Sequence, residues 1–590
     1  MLAGSALQAA PVSTRTKRFT NLFSLFCIVF AVANILPLAS AEDAEIENIK
    51  TECVRYPKEQ HDVLIYGCTT AGIIAGIQVH RMNRTVALVC PEKHLGGMTT
   101  SGLGWTDSKH GSAIGGIAKE FYEKIYSHYQ SDTAWNRETR QQYRNRKITA
   151  QPGPAIDDKN KVQWTFEPHV AEKILEDWMK AGKIEIHRGD PLDRSKGSVT
   201  LKGDQIISFT TKSGKKWRAS VFIDASYEGD LMAAAGIPFR LGSESESDFG
   251  ESLAGIQIQE TSSYWKLDPY VKKGDPNSGL LRGIERTIPA SHRKNGASDV
   301  GRLQPFNYRL SLTQQKDNQI PFFKPASYDE RDHELLLRFI EASNHTEFFT
   351  QQLMPNLKTD SNSKNAVSTD LMGGNYNHSE QTTYLSVSDT ERAAMTQKHK
   401  IYTQGFFWTL ANHPRVPKSI RDSVKSFGYA KDEWVSNNNW PYEIYIREGR
   451  RMKAEYTMTQ SDVQQPKKLN DSIVGLGSYT LDVHEVERIV IDNVVYNEGL
   501  VHTPIARPFP IWYKSLVPER NGLKNFINPI TLGSTHVAFA SIRMEPTYMI
   551  MAQSGATAAV QALEQCVAVQ NVDRKKLSDR LNQDHQKIRW

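Results

Sequence analysis

Residues 62–107 read DVLIYGCTTAGIIAGIQVHRMNRTVALVCPEKHLGGMTTSGLGWTD. A short apolar run, Val63 to Tyr66, meets a turn with Gly67 and Gly72 at its ends. Apolar residues then recur at helical spacing from Ala71 to Met82, and a second run spans Thr85 to Val89. Strand, tight turn, helix and strand in that order form a unit that binds dinucleotides. A diphosphate is held by the N–H groups and positive dipole end of a helix, and only a nearly side-chain-free turn lets it approach. The turn Gly67-Cys68-Thr69-Thr70-Ala71-Gly72 approximates G-x-G-x-x-G, with threonine in place of the second glycine. A Cβ there crowds the diphosphate, although the Thr69 hydroxyl could donate to a phosphate oxygen. Gly76, one turn further on, permits close packing of the helix on its sheet. A plain turn before a buried helix is the competing explanation. An acid is expected at the end of the second strand to hold the ribose; Cys90 stands there instead, which leaves Glu92 as the candidate.

The next run, His94-Leu95-Gly96-Gly97-Met98-Thr99-Thr100-Ser101-Gly102-Leu103-Gly104, resembles the second glycine-rich segment of FAD-dependent oxidoreductases. Three later segments resemble the same family: Val221 to Gly236 (VFIDASYEGDLMAAAG), Trp440 to Gln460 (WPYEIYIREGRRMKAEYTMTQ) and Thr535 to Ala559 (THVAFASIRMEPTYMIMAQSGATAA). Together they look like bacterial and fungal FAD-dependent oxidoreductases of mostly unassigned substrate, with the two-dinucleotide-binding-domain, glutathione-reductase-like fold, here in a secreted fungal-type member. The resemblance spans roughly residues 60 to 565. It implies an α/β fold: a Rossmann-like FAD-binding domain with a parallel sheet and an antiparallel β-meander, and an inserted mixed α+β substrate or cap domain. The cofactor residues it implies are Gly67, Thr69, Thr70, Ala71, Gly72, Glu92, Gly96, Gly97, Met98, Ser101, Asp224, Ala225, Ser226, Thr535, Glu545 and Pro546. FAD is expected without a covalent bond, and His94 is the residue a histidyl linkage would use.

The first 41 residues are of another kind. Arg15, Lys17 and Arg18 precede an apolar run from Leu22 to Leu38, and Ala39-Ser40-Ala41 supplies a small-x-small cleavage site. This is the three-part pattern of a secretory signal, with a retained signal anchor as the alternative. Its removal lowers the formal charge from +6 to +3. No basic tract with interleaved aromatics appears apart from a short basic, polar tail after Val572, so nucleic acid is not an expected partner. Sequons at Asn83, Asn344, Asn377 and Asn470 fit a glycosylating compartment, Asn83 best because it falls in a turn. Cys53, Cys68, Cys90 and Cys566 remain after cleavage, and four free thiols would be unusual outside the cell. Cys68 and Cys90 lie at the same end of neighbouring expected strands, and Cys53 with Cys566 could tie the ends of the cofactor domain. Sequence alone allows three pairings, and small buried residues in tight packing is an equal reading of Cys68 and Cys90.

In chain order the expected domains are a signal at 1–41, a polar lead-in at 42–60, the first part of the FAD-binding domain at 61–237, a substrate or cap domain at 238–497, the return to the FAD-binding domain at 498–569 and a polar basic tail at 570–590. The pattern predicts helices over Ile117 to Tyr129 and Glu167 to Met179, a polar surface excursion from 130 to 165, and a strand at Ile184 to His187. Three short alternating runs between Val199 and Ala219 predict a meander that leads into a separate buried strand, Val221 to Ala225. Gly229 and Asp230 open a helix over Leu231 to Ala235. Within the cap, Glu391 to Asn412 and Trp440 to Gln460 are the firmest helical segments. Arg447, Arg450 and Arg451 would fall on adjacent helix faces as a cationic ridge for a carboxylate or phosphate, unless Glu448 and Glu455 hold them in solvated ion pairs. Ile527 to Leu532 reads as a strand, Gly533 to Arg543 as a turn-rich passage and Pro546 to Gln561 as a helix. The resemblance aims that helix at the pyrimidine end of the flavin.

The resulting expectation is a secreted flavoprotein oxidase or dehydrogenase that takes a hydride from a small, anionic organic substrate and passes electrons to oxygen or another acceptor. His536 is the expected proton-handling residue, with Arg450 on the substrate and Tyr445 and His484 as weaker candidates. Two rivals of other kinds remain: a secreted glycan-processing lyase or binding protein with structural or absent FAD, and a membrane-anchored reductase using a nicotinamide cofactor. Once the signal is cleaved, no stretch is long and apolar enough to span a membrane.

Overall fold

The structure, a computed structural model, describes residues 60–258, 267–289, 296–377, 380–466 and 472–590. The signal segment, nearly all of the lead-in, Cys53 and Asn470 lie outside these residues.

Strand β1, His61–Tyr66, occupies the middle of a seven-stranded sheet. Helix α1, Thr70–Arg81, crosses from it to β2, Val86–Val89, which runs parallel to β1. After helices α2, Gly116–His128, and α3, Pro168–Ala181, strand β3, Glu185–His187, adds in parallel outside β2. Strands β4, Val199–Lys202, β5, Gln205–Thr210, and β6, Lys216–Asp224, complete the order β3–β2–β1–β6–β5–β4. A short strand β7, Phe526–Ile527, pairs in parallel with β6. An unalternated apolar run in β1 is what a strand covered on both faces requires. Val63 and Ile65 belong to the core on one face, and Leu64 and Tyr66 to the core on the other. Gly76 of α1 sits so close to the sheet that a Cβ there would come within 2.8 Å of the Leu88 side chain.

The meander differs from expectation. Its third run and the buried strand that follows it are one nine-residue strand, β6: Lys216 to Arg218 pair antiparallel with β5, whereas Ala219 to Asp224 pair parallel with β1. The meander therefore extends the parallel sheet. Helix α4, Asp230–Ala234, follows, opened by Gly229 at φ +70°. The 130–165 excursion is polar in letters, but it buries Trp135, Tyr143, Val162 and Trp164.

Between 238 and 497 the described chain builds a five-stranded antiparallel sheet, in the order Gln319–Ile320, Gly428–Ala430, Leu310–Thr313, Lys358–Ser361 and Gln352–Met354. Helix α5, Asp389–Asn412, begins where Ser388 and Glu391 form a capping box. The expected helix over Trp440 to Gln460 is absent. That segment is extended, with Arg451–Met452 paired antiparallel to Phe239–Arg240, and the only helix it reaches starts at Gln460. Pro441 and a run of aromatic and β-branched residues favour extended backbone. Gly449 is pressed so close that a Cβ would lie 2.0 Å from the Tyr227 carbonyl oxygen. The described residues cluster as one compact unit.

The C-terminal part brings further corrections. Of the strand expected over Ile527 to Leu532 only Ile527 pairs, in the short strand Phe526–Ile527, because the Asn528 side chain accepts from the N–H groups of Ile530 and Thr531 and turns the chain. The passage expected to be turn-rich contains helix α6, His536–Ile542, capped by Thr535. Helix α7, Glu545–Gln565, lies along α1, and the side chain of Gln78 donates to Thr557 at 3.0 Å. The supposed basic tail folds as helix α8, Arg574–Gln583, and buries Leu577 and Leu581. Among the described residues no helix is long and apolar enough to cross a membrane.

Candidate active site

The glycine turn comes first. Gly67 adopts φ +98°, and a Cβ there would stand 2.6 Å from the Ala225 carbonyl carbon; one at Gly72 would stand 2.1 Å from the Gly67 oxygen. Thr69 caps α1: its hydroxyl accepts from the Gly72 N–H at 3.2 Å and donates to the Ala225 oxygen at 2.9 Å. The hydroxyl proton is thus spent on the fold and not held for a phosphate. Thr70 donates to the Gly96 oxygen at 2.7 Å. Two buried donors suit an anion. The N–H of Ala71 meets no acceptor among the described residues, and the Ser101 hydroxyl has no partner. No acid lies in the first turn of α1. Cys68 and Cys90 form a disulfide that ties the turn to the end of β2, which is what occupies the place of the expected acid. Glu92 lies just beyond, exposed on the surface. His94 is taken up by Glu172 at 2.7 Å and by stacking on Tyr442.

The chain returns to this turn at the end of β6. There Asp224 accepts from the Ser226 N–H and hydroxyl and from the Met232 N–H, at 3.0, 2.7 and 2.8 Å. Burial pushes the Asp224 carboxyl up to about 6. Asp224 and the Ser226 side chain therefore staple β6 to α4, while the backbone of Ala225 and Ser226 lies against the glycine turn, the Ser226 nitrogen 2.7 Å from where a Gly67 Cβ would stand.

At the N-terminus of α7 the Glu545 carboxyl accepts from the Tyr227 hydroxyl at 2.6 Å and from the Thr99 hydroxyl at 2.9 Å. The Tyr227 oxygen in turn accepts from the Met98 N–H at 2.9 Å, so that donor is engaged, and a Cβ on Gly97 would lie 2.3 Å from the same oxygen. Burial pushes the Glu545 carboxyl up to about 7, against the two hydrogen bonds that pull it down. Thr99, Trp105, Asp107, Tyr445, Glu545 and Pro546 line a pocket with about 10 Å³ of free space, roughly one water. Desolvation pushes the Asp107 carboxyl up to about 6, with Arg309 opposing. Tyr445 accepts from Arg543 Nη1 at 2.8 Å, Arg543 Nη2 donates to the Asp482 carbonyl at 2.7 Å, and the Arg447 guanidinium lies over the Tyr445 ring at 5.2 Å.

The structure thus gathers Tyr445, Glu545 and Pro546 at one pocket and leaves other candidates apart. His536 is buried at the start of α6 with Nδ1 2.9 Å from Glu448, facing a separate space beside Arg302 and Glu498. The Thr535 hydroxyl donates to Glu251 at 2.7 Å. His484 is bound through Nδ1 to Asp370 at 2.8 Å. The cationic ridge does not exist: Arg447 pairs with Asp370 at 3.0 Å, Arg450 with Asp230 at 2.8 Å and Arg451 with Glu244 at 2.6 Å, all buried. These guanidiniums join segments distant in sequence, and removing one partner would strand a buried charge. Sequence reasoning missed Asp107, Tyr227 and Arg543. Asp107 and Arg543 each lie inside a segment already singled out, as the last letter of the opening stretch and two places before Glu545 in the Thr535 to Ala559 run. Tyr227 follows Ser226 directly.

A family model described as FAD dependent oxidoreductase matches residues 62–581. A search of curated proteins finds no match. Among solved structures, the L-amino acid deaminase from Proteus vulgaris overlaps at 14% identity and a TM-score of 0.21, over 32% of this chain and 54% of that one. The flavin-containing monooxygenase from Stenotrophomonas maltophilia does so at 14% identity and 0.17, over 31% and 42%. The OxyS anhydrotetracycline hydroxylase from Streptomyces rimosus does so at 14% and 0.21, over 32% and 36%. In each case less than two-thirds of the solved protein's length is spanned.

Proposed function

The chain belongs to the FAD dependent oxidoreductase family, and we propose from that premise that it is a secreted flavoenzyme that oxidises a small organic substrate beside the N-terminus of α7 and passes the electrons to oxygen or another acceptor. FAD supplies the two-electron chemistry when bound. The chain's own part is binding, orientation and proton handling. The glycine turn, the free Ala71 N–H and the Ser101 hydroxyl are the groups that would hold the cofactor's anionic and polar portions. The N-terminus of α7 presents a positive dipole end where negative charge would accumulate. Glu545, with its carboxyl near 7, keeps a neutral fraction at physiological pH and so offsets that effect only in part.

The observation that carries the reading is the convergence of Asp107, Tyr445 and Glu545 on one small pocket. Asp107 is the proton acceptor in this proposal, because a carboxyl near 6 is ionised at neutral pH and still basic enough to take a proton. Tyr445, polarised by Arg543, orients the substrate. The Cys68–Cys90 disulfide and the exposed Asn83 sequon support an oxidising, glycosylating compartment, and with it oxygen as an available acceptor. Asp107→Asn tests the assignment. Flavin content should be retained, substrate-dependent flavin reduction should slow by roughly 10²–10⁴, and the limb of the pH profile near 6 should disappear. Unchanged reduction kinetics in that variant would remove Asp107 from the mechanism.

A further inference from the structure

A cavity of about 700 Å³ opens between α5, the helix at Glu334–Ala342 and the strand at Glu487–Ile491, and it shares no lining residue with the pocket at α7. Its walls are largely apolar: Leu335, Leu336, Val367, Met372 and Ile401 face it. Its size is that of a small-molecule site.

The charges on its wall are unequal in their partners. Arg282 pairs with Asp329 and Asp332, both at 2.9 Å; Glu285 pairs with Arg302 at 3.1 Å; Asp370 pairs with Arg447 at 3.0 Å and His484 at 2.8 Å. Arg488 is different. It is 4% exposed, and its donors go to neutral oxygens only: Asn497 Oδ1 at 3.0 Å, the Gly283 carbonyl at 3.0 Å and the Ala366 carbonyl at 2.7 Å. Among the described residues no carboxylate lies within 4.0 Å of its guanidinium, and Glu485 and Glu285 act on it only through space. This protein treats its other buried arginines otherwise, since Arg309, Arg447, Arg450 and Arg451 each hold a carboxylate at 3.0 Å or less. A buried cation without a counter-ion is costly. Three of its five N–H donors are used, which leaves two, and a guanidinium presents such a pair to a carboxylate in a matching plane. Lys398, exposed on α5 at the cavity wall, adds a second cation with no carboxylate partner among the described residues.

We propose that this cavity binds a small monoanion, a carboxylate on an apolar or aromatic body, with Arg488 as the anchor. The site stands apart from the redox reading, and its ligand need not be oxidised.

The probe is 4-phenylbutyrate, with 4-phenylbutanamide as its uncharged match, titrated calorimetrically into the purified full-length protein at fixed ionic strength. The carboxylate should bind about tenfold or more tighter than the amide, as a charge-assisted hydrogen bond requires. Arg488→Gln should erase that preference while flavin content stays unchanged. Ala394→Trp, at an exposed position of α5 on the cavity wall, should weaken both probes by blocking the entrance. Equal affinity for acid and amide, no saturable binding, or wild-type binding in Ala394→Trp would each overturn the proposal. Should Arg488→Gln fail to fold, the acid-to-amide ratio in the wild type and the Ala394→Trp result decide it between them.

Discussion

Glu545 shows how burial outweighs the local field. An acid in the first turn of a helix is ordinarily favoured in its charged form, yet desolvation pushes this carboxyl up to about 7 from an ordinary 4.5. Between those two values the folded protein holds a proton that the unfolded chain has released, so stability falls as pH rises through the window and is highest below it. The loss attributable to this group is on the order of 3 kcal/mol. Glu545→Gln, which can still accept from Tyr227 and Thr99, should flatten the difference between urea unfolding at pH 5 and at pH 7.5; an unchanged slope would place the pH dependence elsewhere. The residue types at this site were legible, but their partners were not. Thr69 carried the right chemistry for a phosphate, but the oxygen of Ala225, 156 positions away, takes its proton. His536 is a plausible base in the sequence, and nothing local announces that Glu448 holds it. Side chains whose roles depend on a distant backbone oxygen or carboxylate leave no local pattern.

Elements whose own letters change period or carry an apolar run, β1, α1, β2 and β3, are legible in the sequence, whereas α6, α8 and the extended run at 440–460 are not. β1, α1 and β2 show a change of period from strand to helix and back, whereas the Cys68–Cys90 bond, one of three pairings the letters allow, is settled by two strand ends lying side by side. Trp440 to Gln460 misled because Arg447, Arg450 and Arg451 mimic helical spacing, whereas the segment's partner strand lies at Phe239–Arg240. Helix α8 was mistaken for a tail because its two buried leucines are surrounded by charges, and only the docking surface reveals them as a stripe. Two predictions belong to this scale. Gly72→Val should abolish flavin binding, because any Cβ there meets the Gly67 oxygen at 2.1 Å and drives the N-terminus of α1 away from the turn; a full complement of flavin in that variant would rule out the turn as the diphosphate site. Deleting residues 574–590 should uncover the core beside Leu577 and Leu581 and lower the melting temperature by several degrees, on the order of 5 °C or more. A melting temperature equal to the wild type would make α8 dispensable.

The whole molecule assembles its cofactor sheet from both ends of the described chain: β1 to β6 come from residues 61–224, and β7 and α7 arrive some 300 residues later. Flavin binding and global folding should therefore be coupled, with the protein's melting temperature rising as FAD is added to stripped protein. The secretory reading makes its own prediction at this scale: the mature protein from its native host should begin at Glu42, and an N-terminus that retains the Leu22 to Leu38 run would favour a membrane anchor. The most direct measurement is the absorption spectrum of the purified full-length protein before and after acid precipitation. A flavin spectrum, with FAD released stoichiometrically into the supernatant and identified by mass, is the predicted result. A folded, colourless protein that does not take up added FAD would contradict it.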